Sequence, residues 1–264
     1  EQKGIKLTAD SLYAAGTKFR LGNESQKAID LFEKVLALYG SIGDERGEAE
    51  VLGGFGAVYY NNIGDFQAAF NYYEKALAKR EKVDDKVLLG NTLSSLGSLY
   101  HDYFSDYPKA ITYLSRAERI RDESGDLVNL GRTIHVKASA FEKNGQLDSA
   151  LYYFARSSEL NSLAGDKPRM AQAMLHSGEI LNNVGRYPEA LECLEKSVSL
   201  YKELKSRTEE GYAQSQIGFV FSNIGDLNSA IERINMAAGI MKEENDPEGL
   251  AGVYNHFGIV LREA

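Results

Sequence analysis

Six times along this 264-residue chain a small residue is followed, after a short polar stretch, by an alanine that opens a second apolar run, and the pair recurs every 40 or 41 positions. The small residues are Gly16, Gly56, Gly97, Ala138, Gly178 and Gly218; the alanines are Ala28, Ala69, Ala110, Ala150, Ala190 and Ala230. Each alanine precedes the next small residue by 28 positions, and Gly258 opens a seventh unit. A period of this length marks a repeat array, in which each unit is one supersecondary element that cannot bury its apolar face alone and covers it against a neighbour. Counting repeats therefore replaces counting domains. The reading is one domain over residues 1–264, with units at about 6–43, 45–84, 86–125, 127–165, 167–205 and 207–245 and a final helix over 247–264.

Within a unit the spacing is helical. In the sixth, Ile217-Gly218-Phe219-Val220-Phe221 lies on one helix, Asn223-Ile224-Gly225-Asp226 turns, and Ala230, Ile231, Ile234, Ala237 and Ala238 form the apolar stripe of a second helix at 3.6-residue spacing. Glycine inside a helix costs ~1 kcal/mol relative to alanine, so its return at one register implies a neighbouring helix packed on the bare backbone. Turn signals fall where the chain must reverse: Gly64-Asp65, Ser105-Asp106, Gly145-Gln146, Gly185-Arg186 and Gly225-Asp226 inside units, and Gly43-Asp44, Gly125-Asp126, Gly165-Asp166 and Asn245-Asp246 between them. Pro108, Pro168, Pro188 and Pro247 all stand in the first turn of a helix, where a missing N–H does no harm. Aromatic residues three after the small residue (Phe19, Tyr59, Tyr100, Phe141, Phe221) and four after the alanine (Phe32, Tyr73, Phe154) are expected in the core. The fold class is all-α, a solenoid of antiparallel helix pairs comprising six units and a seventh first helix.

Composition narrows the function classes. The 30 basic and 38 acidic residues give a formal charge of −8 without a Lys/Arg run, which disfavours nucleic acid and anionic membrane surfaces and favours a basic partner. A single cysteine, Cys193, excludes an internal disulfide and any multi-cysteine metal site, and its acidic neighbour Glu192 argues against a reactive thiol. No apolar stretch approaches the roughly 20 residues of a membrane span, and the start has no signal-peptide character, so the expected location is cytoplasmic, without membrane insertion. The end at Arg262-Glu263-Ala264 falls where earlier units place their internal turn, so the natural chain is expected to continue.

The stretches Gly56-Ala57-Val58-Tyr59, Gly64-Asp65-Phe66-Gln67-Ala68-Ala69 and Tyr73-Glu74-Lys75-Ala76-Leu77, and Gly185-Arg186-Tyr187-Pro188-Glu189-Ala190 with Leu194-Glu195-Lys196-Ser197, carry a resemblance. Over its whole length the chain resembles tetratricopeptide-repeat proteins, in the long-repeat branch of about 40 residues that includes kinesin light chains, polarity adaptors and bacterial peptide-sensing regulators. Lys137 and Ser177 depart from the pattern, standing before the small residue where an apolar side chain is usual, and the proline that usually closes the second helix is missing. The resemblance implies a right-handed superhelix whose concave wall is lined by first helices. Candidate contacts on that wall are Tyr60, Asn91, Ser94, His101, Arg132, His135, Glu142, Gln172, Glu179 and Asn182, continued by Tyr13, Thr17, Arg20, Glu50, Ser98, Ser139, Tyr212, Ser215, Phe219, Asn255 and Arg262. Amide side chains donate and accept, so a row of them can satisfy the main chain of an extended peptide, with Arg132 and His135 placed for a carboxylate. The Lys and Asn clamp of chaperone-tail-binding relatives is absent, Tyr13, Gly53 and Ser94 standing in its place.

Other motifs dissolve into the repeat. His101, His135, His176 and His256 lie in different units with no i, i+4 pair, so no metal is expected. Gly53-Gly54-Phe55-Gly56 follows no strand and lacks the Lys-Ser/Thr of a phosphate loop. Carboxylates sit beside basic residues, as in Glu74-Lys75 and Glu195-Lys196, which suits solvated faces and leaves no acid–base pair for an enzyme. The expected function is a non-enzymatic interaction scaffold, without cofactor, binding a peptide or partner segment; the alternative is the ligand-sensing segment of a larger kinase, cyclase, protease or transcription factor. Tyr254, Phe257 and Ile259 on the open seventh helix offer a surface for self-association.

Overall fold

The computed structural model describes residues 1–83 and 85–263; the side chains of residues 256, 257 and 259–263 lie outside the description, and with them the expectations placed on Phe257, Ile259 and Arg262. The chain is all-α, a solenoid of antiparallel helix pairs, and divides into two compact units, Glu1–Asp126 and Leu127–Ala264. In the first unit α1 (Gln2–Leu21), α3 (Glu45–Val58) and α5 (Lys86–Asp102) are first helices, each packed against its second helix α2 (Ser25–Ile42), α4 (Phe66–Arg80) or α6 (Tyr107–Ser124). In the second, α7 (Leu127–Lys143), α9 (Lys167–Asn183) and α11 (Arg207–Ile224) pair with α8 (Leu147–Leu163), α10 (Tyr187–Leu204) and α12 (Leu227–Glu243), and α13 (Pro247–Glu263) packs on α12.

Reversal follows one recipe. Asn23, Gly43, Gly64, Ser105 and Gly125 in the first unit, and Gly145, Gly165, Gly185, Lys205, Gly225 and Asn245 in the second, adopt left-handed φ between 52° and 89°. Glycine supplies that conformation without steric cost, which accounts for the periodic turn signals. The aspartate that follows caps the next helix: Asp44 Oδ1 accepts from Gly47 N–H at 2.9 Å, Asp65 from Ala68 at 2.9 Å and Asp226 from Ser229 at 3.1 Å. Lys205 is the turn residue that the Gly/Asn/Asp signals pass over.

The repeat signature is a packing device. All six unit-opening alanines are fully buried. In five units the residue four positions after the alanine lies on the glycine of the partner helix: a Cβ placed at Gly97, Gly178 or Gly218 would stand 2.6 Å from Leu114 Cγ, 2.5 Å from Leu194 Cγ and 2.7 Å from Ile234 Cγ1, and at Gly16 or Gly56 it would enter the rings of Phe32 or Tyr73. The aromatic residue three after the small one is half-buried rather than in the deep core, stacked on a ring three after the alanine in three units: Tyr59 on Tyr72, Tyr100 on Tyr113 and Phe141 on Tyr153, with centroids 5.3, 5.3 and 5.1 Å apart. A second small row lies seven residues, two helical turns, before the first: Ala9, Ala49, Gly90, Gly131, Ala171 and Gly211 are all buried. Two buried serines bond to its carbonyls, Ser157 Oγ to Gly131 O at 3.0 Å and Ser197 Oγ to Ala171 O at 2.9 Å. Between Gly56 and Ala69, and between Gly97 and Ala110, the sequence carries one residue more than in the other units. In the first case a π turn over Tyr59–Ile63 absorbs it; in the second the reversal after Asp102 widens, with Asp106 N–H reaching Tyr100 O at 2.9 Å. The departures at Lys137 and Ser177 are both buried and both satisfied: Lys137 Nζ donates to Tyr153 Oη at 3.1 Å and lies 4.3 Å from that ring's centroid, and Ser177 Oγ donates to Ala173 O at 3.0 Å.

Candidate partner-binding face

Helical spacing puts residues 91, 94, 98 and 101 on one face of α5, 132, 135, 139 and 142 on the matching face of α7, and 172, 179 and 182 on that of α9. Asn91, Arg132 and Gln172, at one register of the repeat, are exposed. In the first unit Asn91 Oδ1 accepts from Arg121 Nη2 at 3.0 Å, so its amide N–H₂ is directed by a guanidinium that is itself 7% exposed. Ser94 is half-buried and bonded. Tyr60 and His101 converge on Asp102, Tyr60 donating to Oδ2 at 2.8 Å and His101 Nδ1 lying 2.5 Å from Oδ1. The His101 bond holds the Asp102 carboxyl below the usual carboxylate range, and burial together with the Asp102 bond pushes the Tyr60 hydroxyl up.

A buried charge in this unit is not announced by the repeat. Arg80, 5% exposed, rises from α4 into the space that a side chain at Gly53 would fill; Nη1 donates to Leu88 O at 2.7 Å and to Thr92 Oγ1. Burial lowers the guanidinium's proton affinity, while Tyr13 and Glu50 beside it favour its charge. Burial also raises the Glu50 carboxyl and pushes the Tyr13 hydroxyl to about 12. The one sequence signal was Gly53 itself, a side-chain-free position on a face where other units carry side chains.

In the second unit Arg132 stands exposed and Glu142 half-buried. His135 packs edge-on against Phe154, with centroids 5.2 Å apart, and 5.5 Å from the ring of His176, so histidines read from sequence as scattered in fact meet across adjacent first helices. Burial, then the neighbouring His176 and Arg169, pushes the His135 imidazole down to about 3. Near pH 7 the ring is therefore neutral and can offer a carboxylate one N–H rather than a positive charge, and its Nδ1 is buried without a hydrogen-bond partner among the described residues. Glu179 accepts from Tyr212 Oη at 2.9 Å and lies 3.3 Å from His176 Nδ1. Asn182 also departs from its outward assignment. It is 4% exposed, and its Oδ1 accepts from Asn223 Nδ2 at 2.9 Å, so it ties α9 to α11 instead of facing a ligand. Ser215 is likewise buried. The outward candidates are thus Asn91, Arg132, Gln172, Tyr212 and Asn255, with Tyr60, Ser94, His101, Glu142 and Glu179 at partly buried positions. Among the described residues no helix is long and apolar enough to cross a membrane.

A tetratricopeptide-repeat profile matches residues 47–123, 129–203 and 169–243. No curated protein sequence matches the chain. Among solved structures, the signal-transduction ATPase with a tetratricopeptide-repeat sensor from Pyrococcus horikoshii superposes with a TM-score of 0.79 at 14% identity, over 99% of this chain and 43% of that one. BtubC (BKLC) from P. vanneervenii gives 0.65 at 18% identity, over 90% and 92%. A Rap protein complexed with Competence and Sporulation Factor gives 0.62 at 16% identity, over 96% and 76%. At these identities the likeness is one of fold.

Proposed function

Because the chain belongs to the tetratricopeptide-repeat family, we propose that it is a non-enzymatic scaffold whose first-helix faces bind a peptide or an extended segment of a partner protein. The observation that carries this reading is that one register of the repeat carries exposed polar side chains on first helices within each unit, Asn91 in the first and Arg132 and Gln172 in the second. An extended peptide exposes N–H and C=O groups, which an amide such as Asn91 or Gln172 can answer in both senses, while the Arg132 guanidinium can donate to its carbonyls. Buried Arg121 orients Asn91, and the Tyr212–Glu179 bond holds that carboxylate, so part of this face is ordered before a ligand arrives and less entropy is lost on binding. Location in the cytoplasm fits the composition and belongs to the same proposal.

The test is a peptide selected by display against the wild-type chain and titrated calorimetrically into wild type and into Asn91→Ala/Arg132→Ala/Gln172→Ala. Affinity should fall by at least about tenfold while helicity and melting stay within error; unchanged affinity would move the site off this face. A second reading, a sensing segment within a larger signalling protein, is favoured by the likeness to the ATPase's sensor, which makes up part of a longer chain. Ligand-dependent tightening of the array in small-angle scattering would separate a sensor from a passive scaffold.

A further inference from the structure

A cleft of about 480 Å³ opens in the first unit where α4 ends. It arises from a difference in helix length. Counting from the buried alanine of each second helix, α2 and α6 run 14 residues further, from Ala28 to Ile42 and from Ala110 to Ser124, whereas α4 stops 11 residues after Ala69, at Arg80. The missing turn leaves Leu89 and Ile120, both half-buried, as an apolar floor. The volume falls within the roughly 300–1,000 Å³ of small-molecule sites.

Charge around this floor is lopsided. Each carboxylate on the lining already has a cation: Glu123 pairs with Lys86 at 3.2 Å, Glu81 with Arg116 at 2.6 Å and Asp85 with Arg46 at 2.7 Å. Lys82 and Arg119 are exposed on the rim and hold no ion pair among the described residues. Arg80 adds a buried guanidinium on the inner wall, its Nε without a hydrogen-bond partner among the described residues. Two cations without an ion pair among the described residues, Lys82 and Arg119, and the Arg80 guanidinium thus surround an apolar floor in a chain whose formal charge is −8. Solvated surface cations need no ligand, but cations grouped over an apolar cleft next to a desolvated guanidinium attract an oxyanion in a medium where the attraction is screened less than in water.

We propose that this cleft binds a small amphipathic organic acid, whose oxyanion head is held by Arg119 and Lys82 and whose apolar body lies on Leu89 and Ile120. The site is distinct from the first-helix face, because it is built from the end of α4, the start of α5 and the outer side of α6.

Methyl-labelled protein titrated with 8-anilinonaphthalene-1-sulfonate, an apolar body carrying one oxyanion, tests this directly. The Leu89, Ile120 and Val83 methyl signals should shift and saturate. Lys82→Glu/Arg119→Glu, two exposed substitutions that leave the packed core untouched, should weaken that binding by at least about tenfold at unchanged helicity. The uncharged analogue N-phenyl-1-naphthylamine should bind wild type at least about tenfold more weakly. Unmoved methyls at Leu89 and Ile120, equal affinity in the charge-reversed variant, or equal affinity for the uncharged analogue would each overturn the proposal.

Discussion

A methyl group added to Gly178 and one added to Gly239 should change stability in opposite directions, although both glycines lie inside helices. At Gly178 the new Cβ would sit 2.5 Å from Leu194 Cγ, 2.8 Å from Leu194 Cδ2 and 3.3 Å from Ala190 O. Leu194 is fully buried, and its Cγ is a branch atom next to the backbone, so it cannot swing aside without a new χ1 in a filled core. Overpacking of this kind costs about 1–3 kcal/mol, against which alanine recovers about 1 kcal/mol of helix propensity, leaving Gly178→Ala destabilised by about 1 kcal/mol. At Gly239 nothing lies within 4 Å of the added Cβ, so only the propensity remains and Gly239→Ala should gain up to about 1 kcal/mol. Urea denaturation followed by circular dichroism reads both against wild type; repeat arrays can unfold in more than one step, so the order of the midpoints is the quantity to score. The expected order is Gly239→Ala above wild type and wild type above Gly178→Ala. A Gly178→Ala midpoint at or above wild type would show that the glycine row is not a packing requirement.

The helix pairs were legible because two constraints repeat with the same period: a small residue, in five of six units a glycine where an added Cβ would collide, and, 12 or 13 residues later, an alanine of zero exposure. The second small row was missed although it shares that period, because half of it is alanine, a residue helices favour anyway, and so Ala9, Ala49 and Ala171 carry little contrast. Site residues were legible only as far as helical facing. Whether a polar residue on that face meets solvent depends on neighbours 19 to 41 residues away: Asn223 bonds the Asn182 amide, and Phe154 and His176 pack on His135. The cleft under Lys82 and Arg119 depends on where α4 stops, a helix boundary that no glycine or proline marks.

Lys205 holds φ at 58°, a conformation that costs an L-residue about 1–2 kcal/mol; Lys205→Gly should therefore raise the urea midpoint by up to about 1 kcal/mol of stability once glycine's greater unfolded entropy is subtracted. Asp226→Ala removes the acceptor for Ser229 N–H and should cost about 1 kcal/mol in the same assay, with Asp226→Ser recovering most of it. His135 gives the protein an acid-sensitive limb. Its folded pKa of about 3 lies below the ordinary value of 6.5, so between those values the unfolded chain binds the proton and the folded one does not. The contribution is complete above pH about 6.5 and falls as pH drops, by up to about 1.4 kcal/mol per unit. His135→Gln should flatten the stability profile between pH about 3 and 6.5, the window set by those two pKa values, and an unchanged profile would place the acid sensitivity elsewhere.

The central claim is that partner binding falls on the first helices, and hydrogen–deuterium exchange in the presence of a display-selected peptide tests it most directly. The account predicts slowed exchange in first helices on binding, α5 in the first unit or α7 and α9 in the second, with their partner second helices little changed. Protection confined to the second helices or to the turns would contradict it.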